Sequence, residues 1–275
     1  MSVEPSMHPS NAGSEATVHA RVTVFGAWIL ERVDACGQFA LLWLWTLRAA
    51  TRPHFPVLET ARQMEAIGAR STTIVLITAL FTGMVLALQT GIALARFGAK
   101  PYVGSVVGLS LARELGPVLT ALMVGGRVGA GITAEIGAMQ VTEQVDAIRS
   151  MGADPIQKLV LPRVIAATLA LPLLTVMADV LGVMGGMFLS WAQFGIDPNF
   201  YLQTVFNTVT VNDFASGIVK TFVFGWIIAM VGCFSAFRTT GGTVGVGRAT
   251  TRAVVTASIA VLVSDFFLTQ LQVIL

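Results

Sequence analysis

Four ionisable side chains stand inside stretches that are otherwise apolar: the neighbours Arg113 and Glu114, then Lys220, then Asp265. A charge at the centre of a membrane-crossing helix costs roughly 2.5 to 3.5 kcal/mol. These four, two of each sign, must therefore pair across their helices, contact a charged lipid headgroup, or do both. A second chemistry uses carboxyls alone: Glu114, Asp179 and Asp265 are the groups a proton-coupled carrier would titrate within the membrane. Asp179 has no partner evident in the sequence.

Enzymatic chemistry finds little footing. His8, His19 and His54 all precede the first long apolar stretch, and Cys36 and Cys233 match neither a metal-ligand nor a redox spacing. No nucleophile stands beside an evident base. A phosphate-binding loop needs Gly-Lys-Ser/Thr, yet none of Lys100, Lys158 and Lys220 follows a glycine, and the glycine-rich run from Gly241 to Gly247 precedes no lysine. This chain is expected to bind no cofactor, so any ATP must be held by another chain. Scattered basic residues and a net charge of +2 leave no nucleic-acid footprint.

The elements that carry these residues follow from composition. Of 275 residues 55% are hydrophobic and 12% charged, against about 25% charged in a soluble domain, so lipid is the main solvent. A spanning helix needs about 20 mostly apolar residues. Five such stretches occur, at about 71–95, 102–124, 164–191, 216–237 and 253–275. The fold class is thus an all-α integral membrane protein. Residues 1–20 read as a disordered cytoplasmic tail and residues 21–70 as interfacial helices ahead of the transmembrane domain, 71–275. In the interfacial part, Phe25, Ile29, Val33, Cys36, Ala40, Trp43 and Leu47 recur at helical spacing, and an amphipathic helix lying in the membrane interface fits them. Pro53 and Pro56 then break the chain before another short helix.

Most basic residues fall on one side of a five-span arrangement, with only Arg96 and Lys100 opposite. The N-terminus is therefore expected in the cytoplasm and the C-terminus on the opposite side of the membrane. Gly104 and Gly108, Gly125 and Gly129, and Gly182 and Gly186 have the spacing that lets helices approach closely, within one chain or across a dimer seam. Between the second and third spans, residues 142–152 read as a short cytoplasmic helix. Thr142 is its expected cap, Glu143 and Asp146 suit its N-terminal end, Arg149 its C-terminal end, and Gly152 closes it. Val141, Val145, Ile148 and Met151 form its apolar face, suited either to a groove on another protein or to its own bundle.

Three segments carry a family resemblance: Leu111-Ala-Arg-Glu-Leu-Gly-Pro-Val-Leu119, Gly126-Arg-Val-Gly-Ala-Gly-Ile-Thr-Ala-Glu-Ile-Gly-Ala-Met139 and Thr142-Glu-Gln-Val-Asp-Ala-Ile-Arg-Ser-Met-Gly152. With Asp154-Pro155, Leu161-Pro-Arg163 and Gly245-Val-Gly-Arg-Ala-Thr-Thr-Arg252, they resemble the signature of MlaE/YrbE-type permeases from about Ile67 onward. The resemblance implies the permease of an ABC-type lipid transporter in a Gram-negative inner membrane, concerned with lipid asymmetry. It further implies a homodimer, two copies of a cytoplasmic ATPase that bind ATP and Mg, and a periplasmic lipid-binding partner of the mammalian-cell-entry type. The helix at 142–151 would then be the coupling helix, with Glu143, Asp146 and Arg149 as polar contacts and Ile148 and Met151 filling the ATPase groove. Leu86, Leu94, Phe97 and Leu115, near the outer ends of the first two spans, would line an acyl-chain cavity or simply face lipid and core.

Overall fold

A computed structural model describes residue 30, residues 33–51 and residues 56–274. The described chain is helical and contains no strand. It divides into two units, Met1–Leu47 and Arg48–Leu275. Helix α1 is described from residue 33 to residue 50. Val33, Leu41, Trp43, Leu44, Trp45 and Leu47 are all exposed on it, so its apolar surface is wider than the single stripe expected. Phe25, Ile29 and the expected tail at 1–20 lie outside the described residues.

The second unit holds five helices long and apolar enough to cross a membrane. The first, α2 (Val57–Ala95), has 39 residues and no break, about 58 Å at 1.5 Å per residue. That exceeds the ~30 Å hydrocarbon thickness. The short helix expected before the first span is thus the same helix, because nothing after Pro56 interrupts it and Arg62 and Arg70 ride on its extension.

The second span also outruns its expected end. It runs as α3 (Val103–Ser110), a π turn (Leu111–Leu115), α4 (Gly116–Val124), a second π turn (Gly125–Gly129) and α5 (Ala130–Val141). Each π turn inserts a residue and re-aims the helical segment beyond it. Both carry an arginine: Arg113 in the first, and in the second Arg127, which donates to Ser71 Oγ of α2 at 2.7 Å. A short helix, α6 (Gln144–Ser150), and a third π turn (Ile156–Val160) lead into α7 (Leu161–Phe194). Then come α8 (Pro198–Thr208), α9 (Val211–Phe237) and α10 (Gly242–Ile274). Helix α8 is an element that a count of apolar spans does not predict, although Asp197 caps it from its side chain and Pro198 opens it.

The core is closed by small residues. At Gly83 of α2 a Cβ would overlap the carbonyl of Gly182 in α7, and at Gly104 of α3 it would overlap Thr204 in α8. Gly108 faces Val205 and Val209, Gly125 and Gly129 face Ile228 of α9, and Gly186 faces the Tyr201 hydroxyl. All three glycine pairs singled out in the sequence therefore serve contacts within the chain. Near the end of the bundle where α8 packs, Ala87, Val103, Val107, Leu111, Tyr201 and Val205 form one buried cluster.

Candidate functional site

Lys220 organises the intramembrane charges. It lies on α9 and is fully buried. Its ammonium reaches Glu114 Oε1 at 2.8 Å and Asp265 Oδ1 at 3.2 Å, and donates to Thr269 Oγ1 at 2.7 Å and to the Arg113 carbonyl at 3.2 Å. The second, fourth and fifth spans are thus tied at one point. Thr269 stands four residues after Asp265, one turn on, and its hydroxyl lies 3.1 Å from Glu114 Oε1 and 2.8 Å from the Asp265 carbonyl. Exposure rises outward from the lysine, to 18% at the Asp265 side chain and 37% at Glu114. The cluster is therefore sealed at its cation and open at a carboxylate.

Arg113 does not join this cluster through its side chain. Neighbouring side chains on a helix diverge, and those of Arg113 and Glu114 reach different partners. The Arg113 guanidinium pairs instead with Asp213, its Nε donating at 2.6 Å. Asp213 is the third residue of α9 and closes a reciprocal capping box with Thr210. Thr210-x-x-Asp213 is a readable helix-start signal, so Asp213 was within reach of sequence reasoning, whereas Thr269 carries no such signal and is found only through its contacts with Lys220 and Glu114. Replacing Asp213 by Ala removes the return half of the capping box, the acceptor for the Thr210 N–H, and strands Arg113. We expect a loss of about 2 kcal/mol, seen as a lower Tm of the purified protein in detergent.

Asp179 lies apart from both sets. It is buried on α7 against Gly116, the residue that follows the first π turn, and neither carboxyl oxygen has a hydrogen-bond partner among the described residues.

The apolar candidates do not share one site. Leu86, Leu94 and Leu115 pack against the buried cluster under α8, whereas Phe97 is 83% exposed. The void beside Leu115, bordered by Thr78, Thr82, Gly116 and Thr120, measures about 10 Å³. That is room for one water rather than an acyl chain. Packing of α8 into this end of the bundle, through Tyr201 and Val205, accounts for the difference from an open cavity.

Helix α6 forms between the second and third spans as expected, but its caps differ. Thr142 ends α5, its hydroxyl donating to the Ala138 carbonyl at 2.9 Å, and the N-cap is Glu143 in the left-handed region at φ 59°. The other end matches expectation: Gly152, at φ 78°, donates to the Arg149 carbonyl and Ala153 to that of Ile148, a Schellman closure. Asp146 and Arg149 pair at 3.0 Å on the exposed face. Val145 and Ile148 are buried, while Met151 is 73% exposed. Ile148, expected to fill a partner's groove, is therefore an anchor to this chain's own bundle. Of the five expected contact residues, four remain exposed: Glu143, Asp146, Arg149 and Met151.

Residues 60–271 match the family model described as Permease MlaE. The chain belongs to the MlaE permease family. It is 43% identical over 246 residues to a probable ABC transporter permease protein of Rickettsia felis, covering 90% of this chain and 95% of the relative. A probable ABC transporter permease protein of Synechocystis is 46% identical over 214 residues, 78% of this chain and 81% of the relative. The MlaE intermembrane phospholipid transport system permease protein of Haemophilus influenzae is 34% identical over 254 residues, 91% and 97% of the two chains. This MlaE-family permease is a transporter component and not an enzyme.

Proposed function

We propose that this permease moves phospholipid between the inner membrane and a periplasmic lipid-binding partner of the mammalian-cell-entry type, driven by a separate cytoplasmic ATPase. The observation that carries this reading is the Glu114–Lys220–Asp265 cluster, sealed at its lysine and open towards Glu114. A zwitterionic or anionic headgroup has charges to exchange with such a cluster, and the Haemophilus influenzae relative is named for phospholipid transport. The void beside Leu115 has room for about one water, and in this reading the acyl chains occupy a cavity between two copies in a homodimer.

In this arrangement the N-terminus is cytoplasmic and the C-terminus periplasmic, as the basic residues direct. Helix α1 lies in the interface. ATP and Mg bind on the ATPase, which meets α6 through Glu143, Asp146, Arg149 and Met151. Closure of the ATPases displaces α6 and changes the cavity, and only a state-dependent difference in lipid affinity can drive the cycle. The left-handed Glu143 fits that role, because a non-glycine residue there costs about 1 to 2 kcal/mol and such outliers gather at functional contacts. Glu143→Gly is expected to slow hydrogen exchange in the loop by relieving the strain while lowering the affinity for the ATPase.

Native mass spectrometry of the chain, gently purified from cells expressing its genomic neighbours, tests the reading. Two copies of this chain with two ATPase subunits and retained phospholipid are expected. Recovery without any ATPase, together with transport driven by a pH gradient, would overturn it in favour of a proton-coupled carrier.

A further inference from the structure

Helix α6 hangs between α5 and α7, the two helices that carry a force applied to it into the membrane. They are tied to each other close to the loop. Arg163, the third residue of α7, donates from Nη2 to Glu135 Oε2 of α5 at 3.0 Å and from Nη1 to the Leu159 carbonyl at 2.8 Å. Glu135 stands six residues before the end of α5, about 9 Å along the helix.

The pair is asymmetric, with the Arg163 side chain 8% exposed and that of Glu135 63%. An ion pair with both members exposed constrains little. Here one member is buried, and its Nε has no partner among the described residues, so Glu135 is the one carboxylate paired with it there. On the same stretch Thr133 lies within reach of the Gly232 carbonyl of α9 at 3.1 Å. Below it, Val145 and Ile148 are buried and seat α6 on its own chain.

We propose that Glu135 and Arg163 are positioning residues that make α5, α6 and α7 one lever, so that displacement of α6 is passed to the spans rather than lost in parting α5 from α7. The inference rests on α6 being the ATPase-facing helix. It adds that transmission depends on a bridge that touches neither nucleotide nor lipid.

The test uses the whole complex, in proteoliposomes of phosphatidylethanolamine and phosphatidylglycerol, with phospholipid transferred and ATP hydrolysed measured together. Glu135→Gln breaks the pair. The double variant E135Q/R163M breaks it without leaving a charge buried, and so keeps the chain folded. Both are expected to hydrolyse ATP at wild-type rates while lipid moved per ATP falls about tenfold, a coupling energy of ordinary size. Glu135→Asp, which keeps a carboxylate, is expected to recover much of the ratio. A double variant of wild-type Tm and wild-type lipid-per-ATP ratio overturns the lever and leaves the permease reading intact. A complex that forms with no ATPase bound would instead remove the reading beneath it.

Discussion

Lys220→Ala is expected to cost the folded protein about 3 to 5 kcal/mol, the usual penalty for breaking a buried ion pair from one side. The physical reason is the count of partners. One fully buried ammonium faces two carboxylates, Glu114 and Asp265, on two other spans, and its removal leaves like charges together in a low-dielectric bundle. Folded yield and Tm in detergent should both fall, and transport should be lost. Because misfolding alone would stop transport, the informative partner is the uncharged triple variant E114Q/K220M/D265N. It removes the charges together and should recover most of the stability. If the cluster contacts lipid headgroups, this stable protein still fails to move lipid. Lys220→Ala with unchanged Tm and unchanged transport would dismiss the cluster altogether.

The second large effect is expected at the seam between α2 and α7. Gly83→Leu places a side chain where even a Cβ overlaps the Gly182 carbonyl, and the obstacle is backbone, which has no rotamer to escape into. The cost should reach about 3 kcal/mol or more, the upper end of overpacking. It should appear as aggregated or degraded protein in size-exclusion profiles of the solubilised membrane. Gly131→Ala is the matched control. It also replaces a helical glycine, but no atom lies within 4 Å of its Cβ position, so helix propensity should leave it as stable as the parent or more so. Equal behaviour of the two variants would mean that α2 and α7 do not approach this closely.

Several features were readable from residue order alone, and they are the ones with a local cause. Length and hydropathy determine the five spans. Four charges inside apolar runs announce a polar cluster, because lipid offers them no other compensation. The short helix between the second and third spans shows in the alternation of Val145 and Ile148 with Asp146 and Arg149, and its end shows in Gly152. The family was legible in the run Leu111 to Gly152, which falls within the matched residues 60–271.

What the tertiary structure decided concerns direction and continuity. Arg113 and Glu114 are neighbours in sequence and diverge in space, so one belongs to Asp213 and the other to Lys220. No property of either residue type announces that split, since it depends on the turn of the helix and on where α9 begins. Whether Ile148 faces a partner or its own bundle depends on how α6 docks, because its spacing from Val145 fits both. Leu86, Leu94 and Leu115 look alike in sequence whether they line a cavity or close a core. In the structure they lie, partly buried, against the cluster that α8 completes through Tyr201 and Val205. Periodicity and composition report which surfaces are apolar, and only the packed helices fix what each surface meets.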